Sequence, residues 1–159
     1  MQIGIISDTH DNISYVHKAV VRFNQERVEQ VIHCGDIVAP FTLDAFRGLE
    51  APLIMIFGNC DGDRAALIER AQSYGFRILS SPFLMRLAGK KILVTHQPDS
   101  PTEECDYYLH GHTHKPRYEL GRPAIINPGE ACGWLTGRST VAILDLLSTD
   151  VEFCELGSQ

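Results

Sequence analysis

Three short apolar runs near the start of the chain, QIGIIS from residue 2, QVIHCG from residue 30 and LIMIFG from residue 53, each break off into polar sequence. Runs this short, bounded by turn residues, read as buried strands. Between the first two, Val16, Ala19, Val20 and Phe23 recur at helical spacing, and Asn12 or Ser14 stands ready to cap that helix. PFTLDAFRGLE predicts a shorter helix before the third run. Leu67, Ala71 and Tyr74, with Ile68 alongside, predict another after it, which Asp61 or Asp63 would cap. The order β-α-β-α-β-α predicts a parallel sheet with helices packed on it. From residue 76 the helical period vanishes. FRIL, FLMRL, KILVT, DYYLH, RYEL, AIIN, TVAILDL and VEFCE follow as strands separated by Gly, Pro or Ser, and the Lys90-Lys91 pair beside Gly89 reads as a hairpin turn. The expected fold is α/β (α+β), two packed mixed β-sheets flanked by helices, in a single domain over residues 1–159.

The charge balance narrows the partners. With 14 Lys and Arg against 20 Asp and Glu, the net charge is -6, which argues against general nucleic-acid binding, since that takes clustered basic side chains. Five scattered cysteines, Cys34, Cys60, Cys105, Cys132 and Cys154, are odd in number and never spaced CxxC. That usage suits reduced thiols in a cytoplasmic protein better than disulfides or a cysteine-type zinc site. No apolar stretch approaches the roughly 18 residues of a membrane span, and MQIGIISD lacks the basic start of a signal peptide.

The chemistry sits where the apolar runs stop. Asp8 follows GIIS, Asp36 follows VIHCG, Asn59 follows LIMIFG, His96 follows ILVT and His112 follows YYLHG, with His10 and His114 two residues beyond Asp8 and His112. Ligands of open α/β sheets bind outside the carboxyl ends of the strands, so these seven side chains can meet at one edge. Taken singly, Asp8 or Asp36 could make an Asx turn, His96 could lie on the surface, and Asn59 could take a left-handed turn position. Together they suit metal. One catalytic zinc takes about three protein ligands, whereas seven with one shared carboxylate supply about four to each of two ions. Oxygen and nitrogen donors without thiolate admit Mn, Fe, Ni, Co or Zn. Two such ions would attract phosphate.

SDTHDN, HCGD, GNCD, VTH and GHTH, in that order over residues 7 to 114, resemble the successive motifs of the calcineurin-like metallophosphoesterases. The likeness is to their small single-domain bacterial and archaeal branch, related to the retromer scaffold subunit, and it extends to INPGE at 126 to 130. The resemblance implies two packed sheets with helices outside. It also implies one ion on Asp8, His10, Asp36 and His114 and a second on Asp36, Asn59, His96 and His112, with Asp36 bridging. Asp36, Asn59 and His112 would be the catalytic residues, and a hydroxide bridging the ions would attack phosphorus. His110 matches no ligand position; with His33 it reads as a strand histidine, and His17 as exposed.

One departure matters. Many members of the family carry a histidine directly after the asparagine, proposed to protonate the leaving group or hold phosphate, and this chain has Cys60. A thiol is a poor acid at neutral pH, so diesters with good leaving groups are the expected substrates. Cys60 also reads as a small buried turn residue. Asn12, Arg117 and Arg138 are possible phosphate partners, and loop 97–105 a possible pocket wall. The alternatives are a protein-binding scaffold of the same fold that has lost hydrolysis, and a mononuclear zinc hydrolase using His112 and His114. A homodimer is a further expectation.

Overall fold

The structure is a computed structural model that describes residues 1–99, 101 and 104–157. The first half runs β1 (Gln2–Ile6), α1 (Ile13–Gln25), β2 (Gln30–His33), a 3₁₀ helix (Pro40–Phe46), β3 (Leu53–Ile56), α2 (Arg64–Ser73) and β4 (Arg77–Leu79). Strands fill the remainder: β5 (Phe83–Leu87), β6 (Lys90–Val94), β7 (Tyr107–Leu109), β8 (Pro116–Glu119), β9 (Ala124–Pro128), β10 (Thr140–Asp145) and β11 (Val151–Glu155). They make two mixed sheets, ordered β11-β10-β1-β2-β3-β4 and β5-β6-β7-β9-β8. β1 to β4 are mutually parallel, and β10 returns antiparallel to β1 with Gly4 opposite Ile143.

Both faces of the first sheet are covered, which is why its strands read as unbroken apolar runs. Ile3, Ile5, Ile32, Ile56, Ala142 and Leu144 pack inward against Ile92, Val94, Tyr107, Leu109 and Ile126 of the second sheet. Their alternates, Ile6, Val31, Leu53, Met55, Val141 and Ile143, face Val16, Ala19, Val20 and Phe23 of α1, Leu43 and Phe46 of the 3₁₀ helix, and Leu67 and Ala71 of α2. The α1 stripe is therefore buried as its spacing demands, and burying a side chain the size of Phe23 is worth about 1.5–3 kcal/mol. A glycine is required under it: a Cβ on Gly4 would lie 2.6 Å from the Phe23 ring.

Three local expectations change. PFTLDAF winds as a 3₁₀ helix rather than an α-helix. Lys90 and Lys91 open β6, and the hairpin turn is Ala88-Gly89, both with positive φ (48° and 77°) and flanked by the Leu87–Lys90 pair. A type I′ hairpin turn needs that backbone at both central positions, so glycine marks the turn and the lysines do not. Asp63 caps α2 by accepting from the Ala66 N–H, whereas Asp61 caps nothing and bonds elsewhere. No helix among the described residues is long and apolar enough to cross a membrane.

Candidate metal centre

β1, β2 and β3 deliver Asp8, Asp36 and Asn59 to one edge of their sheet, and β6 and β7 of the other sheet deliver His96 and the HGHTH segment to the same place. All seven side chains converge. Asp36 lies at the centre, its Oδ2 3.5 Å from His10 Nε2 and 3.3 Å from His96 Nε2. On one side His10 Nε2 and His114 Nε2 stand 3.8 and 3.5 Å from Asp8 Oδ1. On the other, Asn59 Oδ1 lies 3.0 Å from His96 Nε2 and 2.9 Å from His112 Nδ1. The four imidazoles form two close pairs, His10 with His114 and His96 with His112.

These contacts are not those of a satisfied hydrogen-bond network. His96 Nδ1 lies 2.8 Å from the Cys34 carbonyl, to which only an N–H can bond, so the neutral ring turns its Nε2 lone pair toward the oxygens of Asp36 and Asn59. Asp8 Oδ1 and His10 Nε2 are buried without a hydrogen-bond partner. A cation between such atoms removes the conflict; a proton does so in part. The rings of His10 and His96 accordingly hold protons above the ordinary histidine range: His10 chiefly because of Asp8, and His96 although burial, the largest single effect, opposes it, because Asp36, the Cys34 carbonyl and Asp8 together outweigh that burial. Burial would raise the Asp36 carboxyl, but the His96 ring and the Cys60 N–H hold it well below the usual carboxylate range. The donor set of carboxylate, amide oxygen and imidazole suits divalent cations.

The backbone is shaped to present these groups. Asp8, His10, Asp36, His112 and His114 all have left-handed φ, between 37° and 66°. Asp and His tolerate that region better than most residues, yet each such position costs about 1 kcal/mol or more. Asn59, for which a left-handed turn position is the alternative to a ligand role, is not among the positive-φ residues. Close approach explains two glycines: a Cβ on Gly58 would lie 2.1 Å from Asp36 Oδ1, and one on Gly111 1.9 Å from Ser7 Oγ.

Two carboxylates brace the cluster. Glu130, fully buried, accepts from His114 Nδ1 at 2.7 Å, which turns the Nε2 lone pair of His114 toward Asp8. Its other donors include the Leu135 and Thr136 N–H groups, the Thr136 hydroxyl and the Cys132 thiol. Burial disfavours its charge most, but these donors bring its carboxyl down to about 2. Asp61 accepts from the N–H groups of Asp36, Ile37, Val38 and Gly58, pinning the turns that carry Asp36 and Asn59. Sequence reading assigned neither role; the only signal was a carboxylate held in INPGE and in GNCD.

Other candidates lie elsewhere. Asn12 begins α1 but its side chain neither caps the helix nor faces the cluster; it donates to the Cys132 carbonyl at 2.8 Å. Arg117 and Arg138 pair with Glu119 and Glu155. His33 and His110 are buried outside the cluster, and His17 is exposed. His33 accepts the Gly35 N–H at Nδ1 and contacts Thr9 Oγ1 through Nε2. Cys60 is exposed rather than a buried turn residue, and desolvation, then the Asp36 charge, pushes its thiol up to about 11. Of loop 97–105, Ser100, Thr102 and Glu103 lie outside the described residues, while Gln97 and Asp99 wall a cavity of about 410 Å³ that reaches His96 and Asn59. A second cavity of about 440 Å³ opens directly over His10, Asp36, Asn59, His112 and His114.

Residues 1–149 match the family model of the calcineurin-like phosphoesterase superfamily domain. The chain belongs to that superfamily. Phosphodiesterase MJ0936 of Methanocaldococcus jannaschii is 39% identical over 154 residues, 91% of this chain and 93% of the relative. The solved structure of an archaeal phosphodiesterase superposes on this superfamily member with TM-score 0.88 at 35% identity, covering 98% of this chain and 99% of that one. Vps29 from Entamoeba histolytica shares the fold at 20% identity, with TM-score 0.68 and coverage of 98% and 99%.

Proposed function

We propose that this calcineurin-like phosphoesterase, acting as one domain over residues 1–159, is a phosphodiesterase that works with two divalent cations. Asp8, His10, Asp36 and His114 would hold one; Asp36, Asn59, His96 and His112 would hold the other. The observation that carries this reading is Asp36, whose carboxylate stands within 3.5 Å of an imidazole of each group. When bound, the cations would activate water for attack on phosphorus and neutralise the charge developing on the phosphoryl oxygens.

The chain's own part is positioning. Glu130 and the Cys34 carbonyl fix the rings of His114 and His96, and such outer partners matter because they set the tautomer and raise ligand basicity. The Asp61 carboxylate holds the turns under Asp36 and Asn59. Cys60 lines the cavity as a neutral thiol, so a leaving alkoxide finds no strong acid there. That favours diesters with good leaving groups. Cys60→His is expected to accelerate hydrolysis of a methyl ester leaving group by about 10²-fold, within the usual range of one general acid, and of a nitrophenyl leaving group far less. Equal gains on both would show that residue 60 does not serve the leaving group.

The reading is tested by stripping the protein with chelator, restoring Mn, Ni, Fe, Co or Zn singly, and following bis(p-nitrophenyl) phosphate against p-nitrophenyl phosphate. The expected result is diester turnover that disappears with the metal and returns with at least one cation, at about two ions per chain. Cations bound without turnover of either ester would favour a scaffold of the same fold.

A further inference from the structure

The rim of the cavity above the donor cluster is apolar, and its geometry is fixed. Trp134 and Leu135, in the loop between β9 and β10, line that cavity beside His10, Asp36 and His114. They remain 62% and 76% exposed, large apolar side chains turned to solvent at the mouth of a polar site. Contiguous exposed apolar surface rimmed by polar groups is the kind that marks ligand-binding grooves. Neither hangs loosely. The Trp134 indole N–H donates to the His10 carbonyl at 3.2 Å, and the Leu135 N–H donates to Glu130, the same carboxylate that holds His114. The indole is thus tied to one proposed ligand and its loop to another.

Among the described residues, the lining of this cavity holds no Lys or Arg. A second phosphate on the substrate would find no lysine or arginine partner there. A flat ring would find the Trp134 indole and the Leu135 side chain in the lining that also holds His10, Asp36 and His114.

We propose that Trp134, with Leu135, forms a subsite for a planar aromatic group carried by the phosphoester, a nucleobase or aryl ring that stacks on the indole while the phosphate meets the donor cluster. The inference rests on the phosphoesterase reading and names the kind of substrate it serves. One base-on-aromatic stack is a large enough contact to decide selectivity.

Trp134 is the single tryptophan of the chain, so its fluorescence reports the contact directly. Adenosine 5′-monophosphate is expected to quench it and to bind about tenfold more tightly than ribose 5-phosphate, which leaves it unquenched. In turnover, the kcat/KM preference for phenyl p-nitrophenyl phosphate over methyl p-nitrophenyl phosphate is expected to shrink about tenfold in Trp134→Ala and to persist in Trp134→Phe. If both esters are hydrolysed at a ratio indifferent to residue 134, with no quenching by the nucleotide, the subsite is overturned alone. If wild-type protein hydrolyses neither ester with any cation, the phosphoesterase reading fails and takes the subsite with it.

Discussion

Asp36→Asn is expected to lower diester turnover on the order of 10³-fold, the upper end of the cost of deleting one preorganised electrostatic group in an active site. The cation content, measured on the same preparation by elemental analysis, should fall from about two per chain to less than one. The size of the effect follows from position. Asp36 stands within 3.5 Å of an imidazole of each pair, and it is buried where its charge is sustained by His96 and the Cys60 N–H. Asparagine preserves the shape but removes the charge that would be shared. Retention of both ions together with turnover would show that this carboxylate bridges nothing.

Apparent cation affinity should climb steeply with pH, because in the metal-free chain His10 and His96 hold their protons above the ordinary histidine range. A ligand must be deprotonated, so each proton displaced lowers the affinity about tenfold per pH unit below the group's pKa. His10 and His96 would serve different ions, so the slope reaches up to about one decade per pH unit for each ion and about two for the pair, and binding heats measured in buffers of different ionisation enthalpy should register the protons released. The same shifts act on the fold with opposite sign in the two states. A raised histidine pKa stabilises the metal-free fold in full below the unfolded value near 6.5, and that contribution disappears as pH rises through the folded pKa. Acid therefore favours the metal-free fold and base the loaded one, and the difference in their Tm should widen from pH 6 to pH 8. An affinity independent of pH would contradict the placement of these two rings among the ligands.

Strand-end residues were the legible part of the site. A side chain directly after a buried apolar run must emerge at the carboxyl edge of the sheet, so Asp8, Asp36, Asn59, His96 and His112 could be placed together from their local context. The supporting carboxylates could not. Glu130 reaches His114 only because β8 and β9 fold back as a hairpin, and Asp61 serves the turn after β2 from 25 residues away. Periodicity records which face a residue occupies and carries nothing about partners brought in by chain reversal. Arg138 escaped for the same reason, pairing with Glu155 across the β10–β11 reversal, whereas Arg117 pairs with Glu119 two residues along β8. In the fold, the eight later strands were readable because turn residues separate them, while Lys90-Lys91 misled because charge was weighed above the backbone demand that Gly89 meets. Trp134 drew no notice, since an isolated aromatic in a loop has no periodic signature.

The donor atoms are divided between the two sheets: Asp8, His10, Asp36 and Asn59 come before residue 60, and His96, His112 and His114 after residue 95. Each proposed ion needs both sets, so a growing chain has no complete coordination sphere until residue 114 has been made and the second sheet has docked on the first. On the proposed ligand assignment, cation capture would then belong to the last stage of maturation, and a seated ion would act as a rivet through the seam of the sandwich.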